Sequence, residues 1–447
     1  MTRSTDVRVR EVETRAERHA YRTPLKFGGL ASTHATVFTA RVRVETADGR
    51  SAWGEGSMPL GNVWSFPSKR VPADATARAL ESLAGRIARW LPTLGDAGHP
   101  VELGHLWEHQ WFQLADVTSR ELALAEPIPK LAALVCASPF DAALHDAYGR
   151  LHGRHVWECY GPEWLEGDLG RFLDDAFRGD TLDRYVLTRP KPRMPQYHLV
   201  GALDALTDAD VRERLSDGLP NTLGEWVVRD ELTHLKIKLN GNDAGWDVER
   251  IVAVDRAATA AAPGRSFTYS LDFNEQCPHV EYLLEVLRRV KERSPAAFDR
   301  TAYVEQPTAR DLRAHPENRM HAAAKLKPVV IDESLVDYES LLLARDQGYT
   351  GVALKSCKGQ GQSVLLAAAA QKFGMFLCVQ DLTCPGLSFM QSAGLASHIG
   401  PVTAIEGNAR QYCPAANAGW AAKLPTLFTI KGGTIDTSVL CGVGLTA

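Results

Sequence analysis

Short apolar runs alternate with segments of helical periodicity through the second half of the chain. Short apolar runs bounded by polar residues are typical of buried strands, and apolar positions three and four residues apart predict helices. Strands are predicted at 198–202, 234–240, 376–381 and 402–406 and around Asp272, Glu305, Asp332 and Lys355. Helices are predicted between them at 208–215, 244–262, 280–293, 311–315, 338–347, 361–373 and 388–398. Eight such units predict a (β/α)8-type (modified TIM) barrel over residues 196–410.

The first 160 residues have a different pattern, in which antiparallel strands precede helices. Residues 37–45 alternate apolar and polar side chains, Asp48-Gly49 is a hairpin turn sequence, and residues 51–55 form the return strand. Residues 73–155 are mostly helical by apolar spacing, and the tail at 428–437 predicts a hairpin that returns to this region. The prediction is an α/β protein with four parts: an α+β capping domain over 1–160, a connector over 161–195, the barrel, and a tail over 411–447 that completes the capping domain.

Charge and composition argue against several functional classes. Lys and Arg number 50 against 54 Asp and Glu, without a basic cluster, so nucleic acid and anionic membranes are not indicated as partners. The first twenty residues lack the apolar core of a signal peptide, and no apolar stretch is long enough to span a bilayer. Eight cysteines without a Cys-x-x-Cys pair indicate reduced thiols and a cytoplasmic protein.

Carboxylates recur where the predicted barrel strands end. Asp272, Glu305 and Asp332 each follow an apolar run, so we expect them on the rim where barrel enzymes have their active sites. Three buried carboxylates repel one another unless a cation compensates their charge. A helix N-cap would explain one of them but explains three at successive strand ends poorly. All-oxygen ligation therefore indicates Mg²⁺, with Mn²⁺ as the alternative.

Lysines lie on two of the predicted strands. Lys236 and Lys238 share one face of the second strand, and two ammonium groups so close are expected to lower a lysine pKa. Lys355 ends the sixth strand, across the barrel mouth. Opposed amines beside a metal suit removal of the proton α to a carboxylate. A phosphate-binding or surface role for Lys355 and Lys358 is disfavoured, because the surrounding glycines do not complete a phosphate-loop motif.

Two other polar features have alternative interpretations. Asp141, His145 and Asp146 have the i, i+4 spacing of metal ligands on a helix, but capping and a solvated helix face explain them better. The aromatic loop at 58–67, which contains Trp64, is interpreted equally well as a surface loop or as a functional one.

The ordered set of motifs resembles the enolase superfamily, specifically the muconate-lactonizing-enzyme subgroup of the mandelate racemase/muconate lactonizing enzyme family, which includes dipeptide epimerases. The pieces that match are Lys236-Ile237-Lys238, Asp272-Phe273-Asn274, Val304-Glu305-Gln306-Pro307, Ile331-Asp332-Glu333-Ser334 and Ala353-Leu354-Lys355. Residues 42–55 and 138–161 also resemble the capping hairpin and the last capping helix of that family.

The resemblance implies a role for each matched side chain. Asp272, Glu305 and Asp332 become metal ligands, and Lys238 and Lys355 become the acid/base pair. Lys236 supports the anionic intermediate, and Asn274 and Glu333 support the ligands. No His/Asp dyad fits the mandelate-racemase pattern, since His398 falls in the seventh helix, and this argues against the sugar-acid dehydratases that use such a histidine.

The chain also departs from the dipeptide epimerases. These enzymes carry an Asp-x-Asp pair on the eighth strand that receives the substrate's amino group, whereas residues 404–407 retain one acid, Glu406. Asp381, at the end of the seventh strand, is a second candidate. Phe27 and Trp64 of the capping domain are expected to complete the substrate contacts as that domain closes over the barrel. The connector at 162–195 is longer than the family usually has.

The leading hypothesis is a Mg²⁺-dependent racemase or epimerase, forming a homo-oligomer, that acts on a small-molecule carboxylate such as an amino-acid derivative or dipeptide. A cycloisomerase or a dehydratase, which is a lyase, is the alternative within the same superfamily. A non-catalytic carboxylate-binding barrel is disfavoured, because it would keep the lysines and carboxylates for no chemistry. The substrate and the choice between these reactions stay open at this point.

Overall fold

The N-terminal region is an antiparallel sheet covered on one face by helices. The computed structural model describes residues 3–27 and 30–446, without the side chains of 26, 27, 30 and 31, so the predicted contact of Phe27 lies outside the described residues. The sheet strands are β1 Val7–Phe27, β2 Leu30–Thr46 and β3 Ser51–Pro59. The predicted hairpin is therefore confirmed.

Four helices follow the sheet, and the last three lie within residues 73–155, where the periodicity predicts helices. They are α1 Asn62–Ser65, α2 Ala73–Trp90, α3 Pro100–Glu121 and α4 Lys130–His152. Helix α4 lies against β3 so closely that a Cβ atom at Gly54 would stand 2.1 Å from the Ala147 backbone nitrogen, which explains the glycine. A sheet face and a buried helix thus form the core of the capping domain.

Asp141, His145 and Asp146 are buried in α4 and have structural partners. Asp141 accepts a hydrogen bond from the Gly361 amide at 3.0 Å, and Asp146 accepts one from the Leu445 amide at 2.9 Å. The structural interpretation of these residues agrees with these contacts, but the solvated helix face is wrong. The Asp141 carboxylate thus binds a backbone N–H group of the barrel, and the Asp146 carboxylate binds one of the tail.

Residues between α4 and the barrel contain only single 3-10 turns, at Val156–Glu158, Leu169–Arg171, Asp175–Phe177 and Leu182–Arg184. Phe177 is buried here, and its ring meets those of Tyr338 and Phe373 edge-on, with centroids 6.0 and 5.6 Å away. The connector therefore lies along the outer helices of the barrel.

Eight parallel strands close into a barrel, which confirms the predicted fold. The strands are β4 Arg193–Val200, β5 His234–Lys238, β6 Thr268–Asp272, β7 Thr301–Glu305, β8 Val329–Ile331, β9 Gly351–Leu354, β10 Phe376–Val379 and β11 Ile405–Glu406. Pairing of β11 with β4 completes the closure. The helices on the outside are α5 Leu223–Arg229, α6 Ala244–Ala261, α7 Val280–Arg293, α8 Pro295–Arg300, α9 His321–Ala324, α10 Tyr338–Asp346, α11 Gln360–Lys372 and α12 Leu387–His398.

Two predicted helices are wrong. Residues 208–215 contain only the 3-10 turn Asp208–Asp210, and the helix of this unit is α5. Asp210 accepts hydrogen bonds from the backbone amides of Leu206 and Thr207, which closes a polar turn instead of a helix. Residues 311–315 are likewise turns, in which Asp311 accepts from the Ala314 amide, and the helix of that unit is α9.

After the barrel the chain forms α13 Ala409–Tyr412, α14 Ala418–Lys423, α15 Pro425–Phe428 and β12 Thr434–Asp436. Strand β12 pairs antiparallel with β4 of the barrel, so the prediction of a hairpin that joins the first domain is wrong. The contact with the capping domain comes later, where the Gly444 amide donates to the Arg154 carbonyl at 2.9 Å. Within the described residues, no helix has the length and apolarity needed to cross a bilayer.

Candidate active site

The barrel interior is built in layers that bring the candidate residues to one end. An apolar layer of Tyr197, Tyr303, Val330, Ala353, Cys378 and Ala404 fills the barrel. Successive side chains of a strand alternate, so the residue two positions further along also points inward. The next layer toward the carboxyl ends of the strands is therefore charged and polar, and it contains Glu305, Asp332, Lys355, Gln380 and Glu406.

Lys236 is the centre of this layer and is fully buried. Its ammonium nitrogen Nζ lies 2.8 Å from Glu305 Oε1, 2.9 Å from Glu406 Oε2 and 3.0 Å from Asp272 Oδ2. Burial by itself lowers the pKa of Lys236, but Asp272, Glu305 and Glu406 outweigh it and raise that pKa well above its ordinary value. The expectation that neighbouring ammonium groups lower the pKa is wrong for Lys236, because carboxylates surround it.

Lys238 lies two residues after Lys236 on β5, and its Nζ is 2.5 Å from Asp272 Oδ2 and 2.8 Å from Asn274 Oδ1. Asn274 has a left-handed backbone (φ 43°), which is uncommon for a residue with a side chain. The backbone N–H of Asn274 donates to Asp272 Oδ1 at 2.8 Å, so the turn after β6 folds back onto the Asp272 carboxylate.

Lys355 directly follows β9, and its Nζ lies 2.7 Å from Asp332 Oδ2. Lys358, from the 3-10 turn that follows, lies 3.1 Å from Asp332 Oδ1. Burial raises the pKa of Asp332, but Lys355 and Lys358 lower it below its ordinary value. The Asp332 carboxylate in turn overcomes the effect of burial and raises the pKa of Lys355. Asp332 is therefore held as an anion between two ammonium groups.

Lys238 and Lys355 come from opposite sides of the barrel. Three strands separate β5 from β9 in either direction around the closed sheet. A molecule bound at the barrel mouth between these strands would have one lysine on each side.

The three predicted metal ligands lie at the ends of successive strands, with Asp272 and Glu305 in register. Within the described part of the chain, no three His, Cys, Asp or Glu side chains are close enough to form a ready metal site, and the Lys236 ammonium instead lies against both Asp272 and Glu305. The donor chemistry nevertheless fits Mg²⁺, because all three are carboxylates. Glu305 Oε2 is moreover buried without a hydrogen-bond partner among the described residues. Their role as metal ligands stays a prediction.

Trp64 belongs to the short helix α1 and is buried against the charged layer. Its indole nitrogen Nε1 donates to Glu333 Oε1 at 2.9 Å, and its ring centre is 4.1 Å from Lys355 Nζ. Burial, and then the charge of Asp332, raise the pKa of Glu333 to about 7. Trp64 thus lies buried beside the candidate residues, and the interpretation as a surface loop is wrong for it.

Asp381 and Glu406, the two predicted rim contacts, are both buried. Asp381 accepts hydrogen bonds from the backbone amides of Leu382, Cys384 and Asn408, which ties the ends of β10 and β11 together. Burial, and then the charge of Glu406, raise the pKa of Asp381 to about 6. Glu406 accepts from Lys236 and, at 2.6 Å, from the Asn408 side chain. Their role in substrate binding stays a prediction.

Sequence reasoning missed two residues of the site. Gln380 accepts a hydrogen bond from Lys236 at 2.9 Å, and strand alternation from Cys378 could have identified it as the inward residue instead of Asp381. Lys358 is buried at Asp332, and only the tight turn after β9 brings it back to the site. No local pattern indicates that return.

Comparisons with known proteins support the fold described above. A family model, described as "Enolase C-terminal domain-like", matches residues 220–447, just over half of the chain. No curated protein sequence matches the chain.

Three solved structures share the fold at low sequence identity. A mandelate racemase/muconate lactonizing protein from Herpetosiphon aurantiacus is 18% identical, with a TM-score of 0.59, over 98% of each chain. The L-Ala-D/L-Glu epimerase from Bacillus subtilis, in a substrate-liganded complex, is 16% identical, with a TM-score of 0.60, over 98% of this chain and 99% of that one. A dipeptide epimerase from Cytophaga hutchinsonii, complexed with Mg and the dipeptide D-Ala-L-Val, is 18% identical, with a TM-score of 0.57, over 90% and 86%.

The family model covers the barrel beyond its first strand, including every strand end that carries a candidate residue. Its match agrees with the closed eight-stranded barrel. The chain therefore belongs to the enolase superfamily.

Proposed function

We propose that this protein is a racemase or epimerase that removes the proton α to a carboxylate and returns it on the opposite face. The observation that carries the proposal is the placement of Lys238 and Lys355 at the ends of strands that face each other across the barrel. One lysine accepts the α-proton and the other donates a proton to the other face, which inverts the carbon. The lysine that accepts the α-proton must first leave its ion pair, with Asp272 or Asp332, and release its own ammonium proton to solvent, whereas the opposite lysine donates as the ammonium.

The anion that forms in this reaction needs compensating charge. Lys236 supplies it as a fixed ammonium, since its carboxylate neighbours keep it charged. Asp272, Glu305 and Asp332 would hold Mg²⁺, or Mn²⁺ in its place. When bound, the ion would polarise the substrate carboxylate and stabilise the charge that develops there. The complex of the Cytophaga hutchinsonii epimerase with Mg supports this assignment.

The eighth strand supports one substrate class over another. Glu406 is buried, its Oε2 already faces the Lys236 ammonium and its Oε1 accepts from Asn408, so a substrate ammonium group would have to displace these partners. We therefore favour an amino-acid derivative whose nitrogen is acylated over a dipeptide with a free amino group.

The free state of all eight cysteines is what the proposed cytoplasmic location requires.

A cycloisomerase or dehydratase is the second candidate. It is favoured by the confinement of Lys355 between Asp332 and the Trp64 ring, which suits an ammonium that only stabilises charge. In that case Lys238 alone would transfer the proton.

Incubation with N-acyl amino acids and dipeptides in D₂O with Mg²⁺ tests the proposal. We expect deuterium at Cα, measured by mass spectrometry, from both stereoisomers, together with loss of optical rotation. Exchange from one stereoisomer with ring closure or loss of water would support the second candidate. Absence of exchange with every N-acyl amino acid and every dipeptide would count against the proposed reaction.

A further inference from the structure

We propose that Trp64 is a positioning residue that holds both opposed lysines, Lys355 directly and Lys238 through Glu333 and Asn274. This inference rests on the proposed function and assigns Trp64 a role other than the substrate contact expected from the sequence. Each of the two arms depends on a different part of the indole side chain.

The direct arm uses the face of the ring. Lys355 Nζ lies 4.1 Å from the ring centre and 2.7 Å from Asp332 Oδ2, so the ammonium is held between an aromatic face and a carboxylate. An ammonium is attracted to an aromatic face, and the attraction is stronger where water is excluded. Both side chains are buried, with 4% of each residue exposed. The ring therefore fixes the direction from which Lys355 approaches the site.

The indirect arm uses the indole N–H group, which can only donate. It donates to Glu333 Oε1 at 2.9 Å, and the same oxygen accepts from Asn274 Nδ2 at 3.2 Å. Because the side-chain nitrogen Nδ2 of Asn274 is turned toward Glu333, the side-chain oxygen Oδ1 is turned toward Lys238 Nζ, at 2.8 Å. Each group in this chain of hydrogen bonds fixes the orientation of the next.

Trp64 reaches the site from the capping domain, whereas the lysines and their partners belong to the barrel. The Trp64 carbonyl accepts a hydrogen bond of 3.1 Å from the Arg310 guanidinium, and Glu275 accepts two further hydrogen bonds from that guanidinium. Docking of α1 on the barrel is thus what brings both arms into place. The two lysines therefore take up these positions for proton transfer when the capping domain is docked over the barrel mouth.

Two substitutions separate the arms. Trp64→Phe keeps an aromatic face and removes the donor, and Trp64→Gln keeps an N–H donor and removes the ring. We expect the ratio of α-deuterium exchange rates from the two stereoisomers to change by about three- to tenfold, in opposite directions for the two variants. Trp157→Phe is the matched control, because Trp157 is equally buried but stacks on His398 and touches neither lysine. Its exchange ratio should equal that of the wild type.

Lysine labelling gives a readout that does not depend on turnover. Reductive dimethylation followed by peptide mapping should show faster labelling of Lys238 in Trp64→Phe and of Lys355 in Trp64→Gln. Glu333→Met cuts the indirect arm from its other end and should reproduce Trp64→Phe, which keeps the test valid if a Trp64 variant does not fold. An equal effect on both lysines, or none, would overturn the inference. Wild-type protein without any α-proton exchange would refute the proposed function, and the labelling would still decide the role of Trp64.

Discussion

The ammonium of Lys236 donates a hydrogen bond of 2.9 Å to the Glu406 carboxylate, and this contact joins the second barrel strand to the eighth across β4. The same ammonium also reaches Asp272 and Glu305 on the third and fourth strands. One buried cation therefore contacts three carboxylates and links four strands near the point where the barrel closes. Removal of any one carboxylate should affect both the charge of Lys236 and the stability of the closure.

Glu406→Gln tests the contribution of this contact to stability. We expect the free energy of unfolding to fall by about 1–3 kcal/mol, since a hydrogen bond to a charged acceptor is replaced by a weaker one in a buried place. Urea unfolding at pH 7 measures the change. Glu339→Gln, at a side chain that is 78% exposed, is the control and should leave the unfolding free energy unchanged. Equal results for the two variants would contradict the prediction.

Lys238→Ala and Lys355→Ala test the assignment of the acid/base pair. In a racemase each variant should lose about 10²- to 10⁴-fold in α-deuterium exchange, mainly with the stereoisomer that the missing lysine serves. Mass spectrometry of each stereoisomer in D₂O measures this loss. Lys325→Ala, at an exposed lysine, is the control. If Lys355→Ala lowers exchange from both stereoisomers to the same extent, Lys355 stabilises charge and the second candidate reaction is favoured.

Mg²⁺ binding should stabilise the fold. A ligand that binds only the folded state at a hundredfold excess over its Kd adds about 2.7 kcal/mol, so we expect Mg²⁺ to raise Tm by a few degrees and EDTA to abolish turnover. Asp332→Asn should remove most of the Tm shift. Asp175→Asn, at an exposed carboxylate of the connector, should preserve it. The metal assignment would be refuted by a shift that survives in Asp332→Asn.

Glu108 of α3 makes stability depend on pH in a defined window. Burial, and then repulsion by Asp337, raise the pKa of Glu108 from 4.5 to about 7. The folded protein therefore binds more protons than the unfolded chain between these values, and the free energy of unfolding falls as pH rises through this window.

Glu108→Gln removes this titration. Relative to wild type, the variant should gain stability by about 2–3 kcal/mol on going from pH 5 to pH 8, because a neutral amide avoids the cost of a buried charge. Urea unfolding at the two pH values measures the difference. A gain that is the same at both pH values would show that the titration of Glu108 is not coupled to folding.

Much of the fold could be predicted from the order of apolar runs. A closed parallel barrel places sequential strands next to one another, so locating the strands also locates their neighbours. The prediction failed at 208–215, where Asp210 satisfies backbone amides and closes a turn. It failed again at β12, where the tail pairs with β4. The apolar and polar pattern of a single strand does not indicate which other strand it pairs with.

The sequence by itself determined which side chains of the β5 and β6 strands reach the site. Strand alternation brings Lys236, Lys238 and Asp272 to one end of the barrel, and a period of two residues needs only neighbouring residues to set it. Only the tertiary structure decided what each side chain binds. Trp64 meets Glu333 across 269 residues, and Lys358 returns to Asp332 through a tight turn. Such pairs depend on how the capping domain docks on the barrel and on how each loop turns. Many contacts between residues far apart in the sequence determine the docking and the turns, and no local pattern contains those contacts.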